Sequence, residues 1–190
     1  GHLVAFPTET VYGLGADATN ESAIAKIYKA KGRPADHPLI VHISSIDAIN
    51  DWAQDINEYA INLARDFWPG PMTLVFKRSD LAKDFITGNQ NTVGLRVPNQ
   101  SIALALLKEF QALGGKGIAA PSANRFGAVS PTTAQAVKDG LENYLDQTND
   151  IILDGGPCQV GVESTIIDCT SQTPQILRLG AITKEMIQES

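Results

Sequence analysis

The chain has 190 residues, of which 43% are hydrophobic and 19% are charged, and its formal net charge is −6. This length and composition indicate one globular domain whose core is large enough to need no disulfide or metal site for stability. The acidic balance argues against a general nucleic-acid-binding protein, because such domains are usually basic.

The cysteines and the apolar segments indicate the cellular compartment of the protein, and the start of the chain indicates its extent. Cys158 and Cys169 are not spaced as a CxxC pair and have no histidine close by, so we expect a reducing, cytoplasmic compartment. No apolar run reaches the roughly 18 residues of a membrane span, and there is no secretory signal. Because the chain begins without Met and enters a strand at once, we expect a missing N-terminal segment. The length and the lack of a linker predict a single domain over residues 1–190, without a second C-terminal domain.

Strands and helices alternate through the first two thirds of the chain. Residues 2–6 are predicted to form a short strand, and residues 7–15 a polar loop that ends in two glycines. The helix predicted at 21–31 has apolar residues at helical spacing, a cap at Thr19 or Asn20 and a stop at Gly32. Further strands are predicted at 38–43, 72–77, 92–97 and 117–120, and further helices at 45–53, 56–67, 101–110 and 132–141.

Strands then cluster at 151–154, 164–169 and 175–179, before a last helix at 183–188. Alternation followed by clustered strands predicts an α/β fold. We expect a twisted open sheet that is mostly parallel, is mixed near its C-terminal part, and is flanked by helices.

The densest group of basic residues is the stretch 26–33 (KIYKAKGR), in which four of eight residues are basic and none is acidic. Lys31 and Arg33 lie where the predicted helix gives way to a loop. Closely packed like charges repel each other unless an anion neutralises them, so the stretch suggests an anionic ligand. A solvated basic helix face explains the same residues, and the stretch alone slightly favours that simpler interpretation.

Neither of the standard nucleotide-binding loops is present. Residues 13–18 (GLGADA) match the dinucleotide fingerprint G-x-G-x-x-A formally, but six polar or turn residues separate them from the predicted strand. No phosphate-binding G-x-x-x-x-G-K-[ST] occurs anywhere in the chain. If a nucleotide binds, other loops must hold it.

Several polar residues fall in loops and at strand ends, where α/β folds bind their ligands. Thr8, Glu9 and Thr10 follow the first strand and form either a turn cap or part of a ligand site. His42 lies in an apolar strand, where a histidine is more often a satisfied core residue. Arg96 interrupts another apolar strand and needs an anionic partner, which is either a protein carboxylate or a ligand.

Similar candidates follow in the second half of the chain. Ser122 and Asn124 follow a predicted strand and either bind a ligand or shape an Asx turn. Ser164 opens a strand, and Arg178 lies among apolar residues near a strand end. A serine hydrolase is not expected, because the chain has no Gly-x-Ser-x-Gly elbow and only three histidines.

Taken together, these loops resemble one family, the threonylcarbamoyl-AMP synthases, or YrdC-like domain family. The resembling segments follow the family's order along nearly the whole chain, which is far more specific than any single motif. They are 6–15 (FPTETVYGLG), 30–34 (AKGRP), 38–42 (PLIVH), 68–73 (WPGPMT), 93–98 (VGLRVP), 120–124 (APSAN), 161–165 (GVEST) and 177–178 (LR).

The resemblance implies an enzyme of the nucleotidyltransferase type. Its fold would be a twisted α/β sheet with a large, positively charged cavity, in which L-threonine, bicarbonate and ATP condense to threonylcarbamoyl-AMP and pyrophosphate. Magnesium would enter with ATP, held by the phosphates rather than by a protein side chain that the sequence identifies. The product would pass to the proteins that attach the threonylcarbamoyl group to tRNA, and tRNA itself is a possible partner.

The resemblance also implies roles for individual residues. A Lys-x-Arg signature would hold the triphosphate, and a Ser-x-Asn signature would contact the phosphates and help to place magnesium; these four are Lys31, Arg33, Ser122 and Asn124. Further nucleotide contacts are implied for Thr92, Ser130 and Arg178. Contacts to threonine, with an arginine as the partner of its carboxylate, are implied for Thr10, His42, Arg96, Ala120 and Ser164. His42 would either orient the threonine or take a proton from its amine.

Two features depart from many short members of the family. Leu179 stands where proline is common, and Arg125-Phe126-Gly127 stands in place of Leu-Ser-Gly. The second feature resembles the long bacterial and archaeal form, which carries a second domain. Two other functions stay open at this point: a module that binds structured RNA through the basic stretch 26–33, and an accessory domain for carbamoyl transfer.

Overall fold

The computed structural model describes all of residues 1–190. They form seven α-helices and ten strands. The helices are α1 (Glu21–Lys31), α2 (Ile49–Trp52), α3 (Glu58–Phe67), α4 (Asp84–Thr87), α5 (Ser101–Ala112), α6 (Ala134–Leu141) and α7 (Lys184–Gln188). The strands are β1 (Val4–Pro7), β2 (Tyr12–Asp17), β3 (Ile40–His42), β4 (Ala53–Gln54), β5 (Met72–Arg78), β6 (Thr92–Arg96), β7 (Ile118–Ala119), β8 (Ile151–Ile152), β9 (Thr165–Asp168) and β10 (Gln175–Arg178). None of the helices combines the length and the apolarity that crossing a bilayer requires.

Helix α1 has both of the ends that its sequence predicts. The Asn20 side chain accepts a hydrogen bond from the backbone N–H of Ala23 at 3.0 Å and so satisfies one of the free donors of the first turn. Gly32 ends the helix in the left-handed conformation, at a φ of 62°, which costs glycine little. These ends place Lys31 in the last helical turn and Arg33 in the loop that follows.

The ten strands form one mixed sheet, in the order β10-β9-β5-β6-β3-β7-β2-β1-β8, with β4 paired to β5. The prediction of a mixed α/β sheet is therefore confirmed. The expected parallel majority is wrong, because only three of the nine strand pairs, β1–β8, β3–β6 and β5–β9, are parallel. Short connections such as residues 8–11 between β1 and β2 join antiparallel neighbours, whereas a parallel pair needs a long crossover.

Strand β2 corrects the prediction of a loop over residues 7–15. Tyr12–Asp17 is an interior strand that pairs with β1 on one side and with β7 on the other. Its glycines suggest a loop in the sequence, but close packing requires them. A Cβ added to Gly15 would lie 2.7 Å from Phe6 Cε1 and 2.9 Å from Ile118 Cγ2.

The part of the sheet formed by β3, β6, β5 and β9 has one buried face and one half-buried face. Side chains alternate along each strand, so that residues in register share a face. The buried face belongs to the main core and carries Val41, Leu74, Phe76, Leu95 and Ile167. The other face carries partly exposed residues, which are Ile40, Val75, Thr92, Gly94 and Ile166. This second face is open to a ligand beside the ends of β3 and β6.

We predict that Gly15→Ala destabilises the fold, because the new methyl group overlaps Phe6 and Ile118 in strand β2. The expected loss is about 1–3 kcal/mol in the free energy of unfolding, measured by urea denaturation. Gly140→Ala is the matched control, since a Cβ there has no neighbour within 4 Å. Within α6 that change should stabilise the protein by up to about 1 kcal/mol. Equal effects of the two substitutions would contradict the close-packing account of Gly15.

Candidate functional site

Eight of the twelve predicted site residues line one cavity at the ends of β3 and β6. They are Thr10, Arg33, His42, Arg96, Ala120, Ser122, Ser164 and Arg178. The same cavity is lined by Glu163, which the sequence analysis did not single out as a site residue. Its enclosed volume is about 140 Å³, below the roughly 300–1,000 Å³ of pockets that enclose drug-sized ligands. The enclosed part therefore suits a small molecule, and a larger ligand must extend onto the open face of the sheet.

The other four predicted residues lie outside the cavity wall. Thr92 is at the far end of β6 from Arg96, four strand residues or roughly 13 Å away, but on the same half-buried face of the sheet. Ser130 reaches the cavity through a hydrogen bond from its hydroxyl to Glu163, at 2.8 Å. Lys31 donates hydrogen bonds to the backbone of the loop that carries both Ser122 and Asn124.

Arg96 has the protein carboxylate as its partner, one of the two possibilities that the sequence leaves open. Its guanidinium forms a buried ion pair with Glu9 and also donates to Thr10 Oγ1 at 3.1 Å. The Nε–H donates to the carbonyl of Gly70 at 3.2 Å, and Glu9 Oε2 accepts from the backbone N–H of Asn99 at 2.7 Å. The pair thus joins the loop after β1 to the ends of β6 and to the start of β5.

The loop after β1 divides its polar residues between structure and site. Thr8 caps the turn, since its hydroxyl donates to Val11 O at 2.7 Å and accepts from the backbone N–H of Thr10 at 3.2 Å. The Thr10 hydroxyl lies 2.9 Å from that of Thr8 and is part of the cavity wall. The turn therefore holds Thr10 in place beside Arg96.

Lys31 is almost completely buried and supports the Ser-x-Asn loop from behind. Its ammonium donates to the carbonyls of Ser122 at 2.5 Å and of Asn124 at 2.6 Å. Burial, with a smaller contribution from the nearby charge of Arg33, lowers the pKa of Lys31 to about 8. The contact with a phosphate stays a prediction, and the contacts that the structure contains are with backbone.

The basic stretch 26–33 is accordingly not one continuous surface. Lys26 and Lys29 are exposed, whereas Lys31 is 2% exposed and Arg33 is half-buried. Arg33 donates from Nη2 to the carbonyl of Pro38 at 2.8 Å and lines the cavity. The stretch therefore divides into a solvated helix face and an inward-facing end.

Three buried side-chain polar atoms of the chain have no hydrogen-bond partner within it. They are Arg33 Nε, His42 Nδ1 and Asn124 Oδ1. Such atoms are rare in folded proteins, because each loses its hydration without compensation. All three belong to predicted site residues, which makes this region the one where a ligand would relieve unpaired polar groups.

His42 lies at the end of β3 with its ring edge-on to Phe6 and is almost completely buried. Burial, with a contribution from the positive charge of Arg96, lowers the pKa of His42 to about 3. The ring is therefore neutral at physiological pH. It can donate or accept a hydrogen bond but is a weak base.

Glu163 joins two of the residues for which nucleotide contacts are implied. Its Oε2 accepts from Arg178 Nη1 at 2.6 Å, and its Oε1 accepts from the Ser130 hydroxyl. Arg178 also donates to the carbonyl of Ser164 from Nε at 3.1 Å and from Nη2 at 2.9 Å. In the sequence Glu163 directly precedes Ser164 and Thr165 in the segment 161–165, and of these residues only Ser164 was predicted to belong to the site.

The expected positive charge of the cavity is only partly present. Arg96 is neutralised by Glu9 and Arg178 by Glu163, which leaves Arg33 as the cavity-lining arginine without a carboxylate partner. No group of three or more histidine, cysteine or acidic side chains is arranged to hold a metal ion.

The comparisons with known proteins agree with the resemblance found in the sequence. A family model named for Sua5, YciO and YrdC, and described as telomere recombination, matches residues 1–180. A protein of Pyrococcus abyssi (strain GE5 / Orsay), named threonylcarbamoyl-AMP synthase, is 48% identical over 189 residues, which cover 100% of this chain and 53% of the relative. A protein of Bacillus subtilis (strain 168) with the same name is 47% identical over 187 residues, or 98% and 52% of the two chains. The chain thus spans about half the length of these relatives.

The fold is similar to solved structures as well. The crystal structure of P. abyssi Sua5 complexed with L-threonine matches with a TM-score of 0.92 and 47% identity, covering 99% of this chain and 53% of that one. E. coli YciO matches with a TM-score of 0.81 and 25% identity, covering 98% and 87%. Since the family model matches most of its length, the chain belongs to the Sua5/YciO/YrdC family.

Proposed function

We propose that this chain is the part of a threonylcarbamoyl-AMP synthase that condenses L-threonine, bicarbonate and ATP to threonylcarbamoyl-AMP and pyrophosphate. Two relatives that match it at 47–48% identity carry that name. The observation that carries the proposal is that arginines, hydroxyls and unpaired polar atoms meet in one cavity beside an open sheet face. Because the chain spans about half of these relatives, the activity of the whole protein is part of the proposal.

The cavity suits threonine. Its wall includes Thr10, His42, Arg96 and Ser164, which offer hydroxyls, a neutral imidazole and a guanidinium. The Sua5 structure that matches this chain was determined with L-threonine. The threonine carboxylate would contact Arg96, although Glu9 already neutralises that arginine, so the contact would be a hydrogen bond rather than a full ion pair.

The triphosphate would lie against Arg33, Ser122 and Arg178 of the cavity wall, and the nucleoside along the sheet. The half-buried face continues from there along the strands to Thr92, past Gly94, which leaves space beside Ile40 and Val75. An apolar floor with a hydroxyl at its far end is suited to a base and a sugar.

The reaction needs no nucleophile from the protein. The amine nitrogen of threonine adds to the carbon of carbon dioxide, and loss of a proton leaves a carbamate. From bicarbonate the same carbamate forms with release of a water molecule. A carbamate oxygen then attacks the α-phosphorus of ATP, and the bond to the bridging oxygen breaks to release pyrophosphate. Such a transfer depends on positioning and on neutralisation of phosphate charge, for which Arg33 and Arg178 are placed.

Magnesium would accompany the phosphates of ATP and neutralise part of their charge. Magnesium prefers oxygen ligands, and Asn124 Oδ1 is a buried oxygen without a partner, two residues along the chain from the cavity-lining Ser122. The Asn124 amide is held in place by bonds from Nδ2 to the carbonyls of Arg125 at 2.8 Å and Ala128 at 3.0 Å. The proposal includes Asn124 as a group that faces the metal or its water shell.

A nucleotidyltransferase of this kind makes a reactive adenylate, which needs an acceptor. We include in the proposal that the product passes to proteins that modify tRNA with the threonylcarbamoyl group. Direct binding of tRNA through the exposed end of the basic stretch, Lys26 and Lys29, is a weaker expectation, since the inward-facing end is committed to the cavity.

The proposal is tested by pyrophosphate release from ATP and bicarbonate with each of the twenty amino acids in turn. Threonine should support the reaction alone or nearly so, and the product should be threonylcarbamoyl-AMP by mass spectrometry. Release that no amino acid stimulates would contradict the proposal. A second series with carbamoyl phosphate in place of bicarbonate tests the carbamoyl-transfer alternative, which predicts turnover there without threonine.

Arg33→Ala and Lys31→Met should separate contact with phosphate from support of the loop. Loss of Arg33 should slow threonine-dependent pyrophosphate release about 10- to 100-fold, since a charged hydrogen bond contributes roughly 1.5–3 kcal/mol. Loss of Lys31 should slow the reaction and also lower the free energy of unfolding by about 1–3 kcal/mol, because two carbonyls behind the loop lose their donor. Steady-state kinetics and urea denaturation measure the two effects. A Lys31→Met protein with wild-type stability would contradict the supporting role.

We predict that His42 orients threonine as a neutral ring and does not accept its proton. The low pKa of the ring also affects stability, because the unfolded chain binds a proton near pH 6.5 and the folded chain does not until about pH 3. The contribution of His42 is therefore fully present above pH 6.5 and is lost as the pH falls towards 3.

The measurement is the free energy of unfolding of the wild type and of His42→Asn at several pH values. The difference between them should shrink by about 1.4 kcal/mol per pH unit between roughly pH 6 and pH 4. A difference that does not change with pH, or an NMR titration of the ring with a midpoint near 6.5, is the result that rules out the neutral buried ring.

A further inference from the structure

The carboxylate of Glu163 accepts hydrogen bonds from the groups that would bind phosphate. Arg178 and Ser130 are both implied nucleotide contacts, and both donate to Glu163, at 2.6 and 2.8 Å. A carboxylate and a phosphate accept hydrogen bonds from the same donors in similar geometry. The free protein therefore contains its own anion at the position where the proposed ligand needs cations.

The charges around the cavity make this arrangement unfavourable for ATP as it stands. Arg96 is neutralised by the buried Glu9, so only Arg33 and Arg178 remain for the phosphates, and Glu163 cancels one of them. Once separated from Arg178, the negative charge of Glu163 would also repel a phosphate within the same cavity. Either Glu163 leaves Arg178 when nucleotide binds, or the nucleotide binds against its charge.

Glu163 is free to leave, because the guanidinium has a second set of partners. The ion pair is partly solvent-exposed, with 39% of the Arg178 side chain and 42% of the Glu163 side chain accessible, so breaking it costs little. Two bonds to the carbonyl of Ser164, at 2.9 and 3.1 Å, hold Arg178 in place without the carboxylate. Arg178 would then turn its released Nη1 to a phosphate while it keeps its position.

We propose that Glu163 is a built-in counter-anion that holds Arg178 and Ser130 in the empty site and that the nucleotide phosphates displace. The inference rests on the proposed function and adds a residue to it. Glu163 is a positioning residue in this account: it keeps the cationic site neutral and ordered, and it opposes nucleotide binding by the energy needed to displace it. Its removal should therefore strengthen binding of ATP.

The test is Glu163→Gln, which keeps the shape of the side chain and removes its charge. ATP binding by calorimetry with magnesium present should become roughly 3- to 10-fold tighter, and KM for ATP should fall without a rise in kcat. Asp84→Asn is the matched control, since it removes the same charge from an ion pair with Arg78, at 2.7 Å. Arg78 is at the opposite end of β5 from Thr73, which contacts Ser164. That control should bind ATP as the wild type does. Circular dichroism establishes that each variant is folded, and Glu163→Asp provides a second variant that keeps the charge and should not bind more tightly.

Each other outcome has a definite meaning. Unchanged or weaker ATP binding by a folded Glu163→Gln protein, with wild-type binding intact, overturns the counter-anion role and leaves the proposed function standing. If the weakening appears only with magnesium present, the carboxylate ligates the cation instead. Tighter binding by Asp84→Asn to the same extent would reduce the effect to net charge and overturn the inference too. A wild-type chain that binds no ATP contradicts the proposed function itself, and with it this inference.

Discussion

The buried ion pair between Arg96 and Glu9 is the interaction on which the site depends. It joins the loop after β1 to the end of β6, and it reaches Gly70 and Asn99 by further hydrogen bonds. Both side chains are less than a tenth exposed, so removal of either would leave an unpaired charge inside the protein, which typically costs about 3–5 kcal/mol. Thr10 and the cavity wall are held in place by this pair, and burial, with a contribution from the charge of Arg96, lowers the pKa of His42 and keeps its ring neutral.

A second constraint is that the protein gives the cations that it brings together partners of its own, and neutralises two of them, Arg96 and Arg178, with carboxylates. Lys31 is directed at two backbone carbonyls and Arg178 at Glu163, while Arg33 keeps an unpaired Nε. An empty cavity with several free positive charges would be destabilised by their repulsion, so some neutralisation stabilises the fold. The consequence is that the anionic ligand has to compete with groups of the protein, and binding and folding oppose each other at this site.

The sequence predicts local features better than contacts between distant segments. Helix α1 follows from apolar spacing, the Asn20 cap and Gly32, all of which act within a few residues. Strand β2 was missed because its glycines are typical of a loop, and they are required only by Phe6 and Ile118 on neighbouring strands. The parallel majority was wrong for a related reason, since the pairing of strands depends on connections whose path the local pattern does not determine.

The site shows the same division. Its residues were found through resemblance to a family, and eight of them line one cavity. Glu9 could not be chosen from the sequence as the partner of Arg96, because the two residues are 87 positions apart. The partners of Lys31 are backbone carbonyls, which have no signature in a sequence. Glu163 was not predicted, although it directly precedes the predicted site residue Ser164. In each case the missing information was a contact between separate loops.

The central claim is that one cavity takes a small amino acid beside a nucleotide triphosphate. The most direct measurement is a crystal structure of the chain with L-threonine and a non-hydrolysable ATP analogue bound together. The account predicts threonine enclosed by Thr10, His42 and Ser164, with the triphosphate against Arg33 and the base along the open sheet face. Two ligands bound on separate surfaces, or a nucleotide placed away from Arg33, would contradict it.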